Sequence, residues 1–259
     1  MKTSTSLASV PLLALALALA ACQHAGRGGI DQGAVLAGQN QDGGPANALG
    51  IPGASAAHAG GTPDLRAGAQ LAARGAPNGV AACVTCHGAH GEGDAASGYP
   101  RIAGQSQAYL GTQLGAYAND ARVNPVMQPI AKAMSAEQIR DVSAWYASLA
   151  AAATVPAGPK PPDAGMARGR LLSEVGDASL GVQACANCHG PGGAGKQPDY
   201  PYLAGQHAAY LTAAMGAWKS GARKTDASGQ MPHIARALAD ADVAALSTYF
   251  AAQPAPAKR

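Results

Sequence analysis

The sequence predicts an all-α chain built from two small sister domains, and three observations carry that prediction. The chain repeats itself: "YPRIAGQSQAYL" (Tyr99 to Leu110) returns as "YPYLAGQHAAYL" (Tyr200 to Leu211), and "MQPIAKAMSAEQI" (Met127 to Ile139) returns as "MPHIARALADADV" (Met231 to Val243). The offset between the copies drifts only from 101 to 104 residues, which small loop insertions explain. Apolar residues in each copy fall at helical spacing. The segments between them are Gly- and Pro-rich, with no alternation of the strand kind.

Taken in order, the chain opens with Lys2 and an apolar run from Pro11 to Ala21. That run is too short to span a bilayer and has the layout of an export signal. Leu19-Ala20-Ala21-Cys22 resembles the bacterial lipobox. The resemblance implies removal of residues 1–21 and a lipid on the Cys22 sulfur; the competing reading is an ordinary signal peptide with an incidental cysteine. Residues 22–63 are Gly, Ala, Gln and Asn with almost no large apolar side chain, so they are expected to form a flexible leash. Residues 64–150 and 163–253 are the two domains. The Pro-rich stretch 151–162 joins them as an extended linker, and 254–259 is a tail.

Each domain should open with a helix carrying a glycine at a matching place, Gly68 in "RAGAQLAARG" and Gly169 in "ARGRLLSEVG". The first copy then shows an "APNGVA" interruption before Cys83, which is expected to loosen its opening helix. A middle helix should run from Ser106 to Asn119 with Leu110, Leu114 and Tyr117 inward; its counterpart carries Leu211, Met215 and Trp218. Ser135 and Gln138 form a capping box, after which Ile139, Val142, Tyr146 and Leu149 make one stripe. The second copy places Val243, Leu246 and Phe250 on the same stripe, opened by Asp240.

The composition leaves a core too thin for such domains. Hydrophobic residues reach 47%, yet much of this is Ala, with one Phe and two Trp in 259 residues. A buried prosthetic group would supply the missing apolar bulk. The formal charge of +3 becomes +2 without Lys2, which gives no electrostatic footprint for nucleic acid.

The chemistry sits in "CVTCHG" and "CANCHG", starting at Cys83 and Cys185. A thioredoxin-like dithiol wants a β/α surround, which is absent. A zinc ribbon wants its Cys pairs about 15–20 residues apart, whereas Cys86 and Cys185 are separated by nearly a whole domain. A disulfide would not explain the histidine that follows each pair. Covalent haem explains all of it: Cys83, Cys86, Cys185 and Cys188 add to the vinyl groups, and His87 and His189 become proximal iron ligands. The expected cofactors are two covalently bound haem c groups.

The sixth ligand decides between a carrier and a catalyst. Met134 faces Leu238 and Met215 faces Leu114 in the alignment of the copies, so both read as core residues. Met127 and Met231 are the methionines kept in both copies, each expected on a loop opposite its histidine. His90, His207 and His233 have no counterparts and read as surface residues.

On these words, with "YLTAAMGAWKSGARK" and the Met segments, residues 64 to 253 resemble tandem class I cytochrome c domains. The pair is similar to the dihaem cytochrome c4 family. The resemblance implies iron ligands His87, Met127, His189 and Met231, with thioether bonds at Cys83, Cys86, Cys185 and Cys188. It implies no enzyme activity but electron shuttling in the periplasm between redox proteins, such as a respiratory reductase and a terminal oxidase. The alternatives are the cytochrome subunit of a periplasmic dehydrogenase complex and a dihaem peroxidase. With Cys22 lipidated, the chain would be held at a membrane facing the periplasm.

Overall fold

Three helix starts of the first domain in the computed structural model coincide with side chains that satisfy their first amide groups. The structure describes residues 60–151 and 164–256, all within one compact unit, Asn47–Arg259. The expected signal segment, Cys22, most of the leash and nearly all of the linker lie outside the described residues. Asp64 caps α1 (Leu65–Arg74) by accepting from the Arg66 and Ala67 amides at 2.8 and 3.0 Å. Following α2 (Val84–His87), Ser106 caps α3 (Gln107–Ala118). After α4 (Met127–Ala133), the Ser135–Gln138 capping box opens α5 (Ala136–Ser148) with both of its reciprocal bonds formed.

The second domain repeats the order with α6 (Ala164–Glu174), α7 (Ala186–His189), α8 (Ala208–Ser220), α9 (Gln230–Ala237) and α10 (Asp240–Ala251). It adds a two-residue hairpin, β1 (Gly176–Asp177) antiparallel to β2 (Val182–Gln183).

In each domain the first helix crosses the last through its glycine. A Cβ on Gly68 would strike the Asp141 carbonyl and lie 2.9 Å from Trp145 Cβ; one on Gly169 would strike the Ala245 carbonyl and lie 2.7 Å from Tyr249 Cβ. Only a missing side chain lets α1 meet α5, and α6 meet α10, this closely. The cores form on that crossing: Leu71, Val80, Val142 and Tyr146 in the first domain, and Leu172, Val182, Leu246 and Phe250 among others in the second.

The interrupted opening of the first copy turns out to be common to both. Gly75 and Gly176 end the first helix of each domain with φ of +69° and +87°. The chain then pairs back on itself, Ala76 with Val80 in one and β1 with β2 in the other. The "APNGVA" segment is therefore a formed turn, and α1 is as regular as α6.

The sister domains meet across a pseudo-twofold contact. Val123 N–H donates to the Ala222 carbonyl and Lys224 N–H to the Ala121 carbonyl, each at 2.7 Å. Arg122 donates to the Tyr210 hydroxyl at 2.9 Å, and Arg223 to the Tyr109 hydroxyl at 3.0 Å. This contact explains a departure in α3. Tyr117 is buried as expected, but the helix also buries Gln113, whose carboxamide meets Arg223 of the second domain, while Leu110 and Leu114 stay half-buried. His207 is likewise no surface residue: its Nε2–H donates to the Glu92 carbonyl of the other domain at 2.9 Å.

Candidate functional site

Each Cys-x-x-Cys-His segment is wound into one helical turn. Cys83 stands at the start of α2, and the His87 amide donates to the Cys83 carbonyl at 2.9 Å; Cys185 and His189 repeat this in α7. A turn of 3.6 residues puts cysteines three apart on one side and carries the next residue round beside the first. Gly88 and Gly190, with φ of +79° and +74°, end the turns at once. The spacing thus becomes a compact presentation of two thiols and an imidazole.

Both imidazoles are buried, with His87 9% and His189 8% exposed. His87 Nδ1 lies 2.9 Å from the Pro100 carbonyl, and His189 Nδ1 lies 2.9 Å from the Pro201 carbonyl. A carbonyl oxygen only accepts, so Nδ1 carries the proton and Nε2 presents its lone pair. Burial lowers both histidine pKa values, which the carbonyl bonds only partly offset, so the rings stay neutral and fit to bind a metal.

All four cysteines of the two motifs are free and half-buried. Burial raises the Cys83 thiol pKa and takes that of Cys185 up to about 11. The pairs stay apart: no group of three or more His, Cys, Asp and Glu gathers among the described residues. Cys83, Ile102, Leu110, Leu114 and Leu149 pack on the first core yet remain partly exposed, and Cys185, Leu203, Met215 and Ile234 do the same on the second. The Tyr146 hydroxyl is buried beside Cys83; burial and then that thiol push its pKa up. Incomplete apolar rims beside free thiols and an oriented imidazole fit a flat apolar group joined through sulfur.

Met127 and Met231 occupy matching places, although not on loops. Met127 is the first residue of α4 and Met231 the second of α9. The Met127 amide donates to Asn124 Oδ1 at 2.9 Å and the Met231 amide to Asp226 Oδ2 at 2.6 Å. These side chains, upstream of the helices, satisfy amides of the first turn, and Pro129 and Pro232 are tolerated within it. Both methionines are half-buried. Met134 and Met215 pack on the cores, and His90 and His233 are exposed.

Reading from the sequence alone left the tyrosine, proline and glutamine of the repeated "YP" and "AGQ" words without roles. Tyr99 and Tyr200 pack 6.4 and 6.2 Å from the rings of His87 and His189. Pro100 and Pro201 hold the imidazoles, and Gln105 and Gln206 reach into the opposite domain. The repetition of those words was the available signal.

Comparison with known proteins agrees with this geometry. The family model described as cytochrome c matches residues 65–150 and 174–253. The chain is 43% identical over 179 residues to the thiosulfate dehydrogenase electron acceptor of Thiomonas intermedia, covering 69% of this chain and 82% of the relative. It is 35% identical to cytochrome c4 of Thiocapsa roseopersicina, over 67% and 86% of the two chains. Among solved structures, reduced cytochrome c4 of Pseudomonas stutzeri aligns with a TM-score of 0.63 at 27% identity, over 74% of this chain and all of that one. A thiosulfate dehydrogenase of Marichromatium purpuratum aligns at 0.68 and 39% identity over 74% of this chain, which spans only 40% of that longer chain. The chain belongs to the cytochrome c family, as a dihaem, cytochrome c4-like electron-transfer protein with two covalently bound haem c groups.

Proposed function

We propose that this cytochrome collects electrons from a thiosulfate dehydrogenase in the periplasm and hands them to a further redox protein, with no catalysis of its own. Two relatives named as electron acceptors of that enzyme, at 43% and 42% identity, support the donor. In this reading Cys83 and Cys86 would hold one haem through their sulfurs, and His87 and Met127 would bind its iron. Cys185, Cys188, His189 and Met231 serve the other. When bound, each haem supplies an iron couple that takes up and releases one electron.

The observation that carries the ligand assignment is the pair of imidazoles fixed by proline carbonyls inside matching Cys-x-x-Cys-His turns. Nδ1–H bonded to a carbonyl sets the tautomer and the ring plane, so each ring presents Nε2 without further rearrangement. A methionine sulfur bound to the iron would close the site to small ligands and raise its potential, as a carrier requires. The half-buried apolar side chains would pack on the bound group and limit water at its iron. Export follows from the leader, and Cys22 carries the lipid that holds the chain at a membrane. No helix among the described residues is long and apolar enough to cross one.

The test is to mix the oxidised, haem-loaded protein with a thiosulfate dehydrogenase and thiosulfate and follow haem absorbance in a stopped-flow instrument. Reduction of both haems within the turnover time of the enzyme is expected. Reduction no faster than with thiosulfate alone would remove this donor from the proposal.

A further inference from the structure

Each proximal histidine is held by a peptide that the opposite domain grips from behind. His87 Nδ1–H donates to the Pro100 carbonyl at 2.9 Å. The same peptide unit presents its other polar group, the Arg101 N–H, to Oε1 of Gln206 at 2.9 Å. Gln206 Nε2 donates back to the Arg101 carbonyl at 2.8 Å. The arrangement recurs in mirror image. His189 Nδ1–H donates to the Pro201 carbonyl at 2.9 Å, the Tyr202 N–H meets Gln105 Oε1 at 3.3 Å, and Gln105 Nε2 donates to the Tyr202 carbonyl at 2.9 Å. Gln105 and Gln206 are 5% and 3% exposed, so these bonds are shielded from water.

The N–H and C=O of one peptide share a π system. When the N–H donates, its carbonyl gains negative charge and accepts more strongly, the cooperative effect of hydrogen-bonded chains in a low dielectric. A stronger acceptor at Pro100 draws on the His87 Nδ1 proton and raises the donor strength of Nε2. A more basic axial nitrogen favours oxidised iron and lowers the potential.

We propose that Gln206 is a positioning residue for the His87 haem and Gln105 for the His189 haem, so that each domain tunes the axial ligand of its sister. The proposal rests on the assignment of these histidines as iron ligands. The contact to Arg101 is shorter than that to Tyr202, so the His87 haem should feel the stronger effect.

The experiment uses the full haem-loaded protein with Gln206→Leu, Gln206→Asn and Gln105→Leu. The control is Tyr210→Phe, which removes an interface bond to Arg122 away from both histidine peptides. Spectroelectrochemistry reads the potential of each haem, and paramagnetic NMR of the oxidised protein reads each histidine Nδ1 proton. Gln206→Leu should raise the potential of the first-domain haem and move the His87 proton toward a weaker hydrogen bond, leaving the second-domain haem in place. Gln206→Asn, too short to reach, should do the same and keeps a polar group if the leucine variant fails to fold. Gln105→Leu should give the smaller mirror shift, and Tyr210→Phe should move neither proton. Equal shifts of both haems, a shift confined to the domain that carries the substitution, or an unmoved His87 proton would overturn the proposal. Absence of hyperfine-shifted His87 ring protons in the unsubstituted protein would instead overturn the ligand assignment beneath it.

Discussion

Arg122 and Arg223 stand opposite each other across the domain boundary as an antiparallel backbone bridge, and both donate to the single carboxamide oxygen of Gln113, at 2.9 and 2.8 Å. Each guanidinium also stacks on an aromatic ring of its own domain, Arg122 on Tyr117 at 4.8 Å and Arg223 on Trp218 at 4.5 Å. They are 7% and 6% exposed, and neither forms an ion pair with a carboxylate among the described residues. Buried cations need anions. The carboxylates of a bound haem would be able to supply them.

If a haem carboxylate pairs there, Arg122→Met in the haem-loaded protein would leave that acid without its cation, and the loss should cost about 3–5 kcal/mol in a denaturant melt. Arg170→Met is the comparison. Its pair with Glu174 is exposed, with 68% of the arginine side chain accessible, and its loss should cost no more than about 1 kcal/mol.

The crossing glycines make a second contrast. Gly68→Ala and Gly169→Ala force a methyl into the backbone of α5 and α10 and should each destabilise by about 1–3 kcal/mol. Gly216 sits within α8, where an added methyl would find nothing within 4 Å, so Gly216→Ala should stabilise by about 0.5–1 kcal/mol. Thermal melts of the three variants would order them.

Met127→Ala and Met231→Ala should each open one haem. The reduced variant is expected to bind carbon monoxide at half of its iron and to lose about half of the methionine–iron charge-transfer band, with a lower potential at the opened site. Unchanged spectra would show that another group holds that iron.

Acid should release the histidines late. Both have pKa values lowered by burial, so between the lowered value and the ordinary value of about 6.5 the unfolded chain binds protons that the native one refuses. Stability contributed by the neutral rings is complete above about 6.5 and falls with pH below it. The low-spin spectrum should therefore persist below pH 6.5 before it converts to high-spin; conversion at or above that value would contradict the burial argument.

What the sequence made legible was what is written locally. The cap of α5 is visible because Ser135 and Gln138 are three residues apart, and the Cys-x-x-Cys-His turns because their chemistry lies within five residues. The repeat showed that the domains were sisters but not how they touch. His207 read as a surface residue because its partner, the Glu92 carbonyl, is 115 residues away and belongs to the backbone, which no side-chain pattern announces. Gln105 and Gln206 were visible as repeated letters, while their task depends on the contact between domains. The methionine segments read as loops because a sixth ligand is expected on a loop opposite its histidine; the structure makes them helix starts, with Asn124 and Asp226 accepting from the methionine amides.

The twofold contact lies within a single polypeptide, and this frees it from dilution. Two separate copies joined by the same bonds would part once their concentration fell below a dissociation constant, whereas linked halves meet at an effective concentration of the order of millimolar. One gene also lets mirror positions drift apart, as Ser106 against His207 and Gln113 against Ala214 already have. The two halves are therefore unequal in sequence, and their order along the chain is inherited rather than assembled.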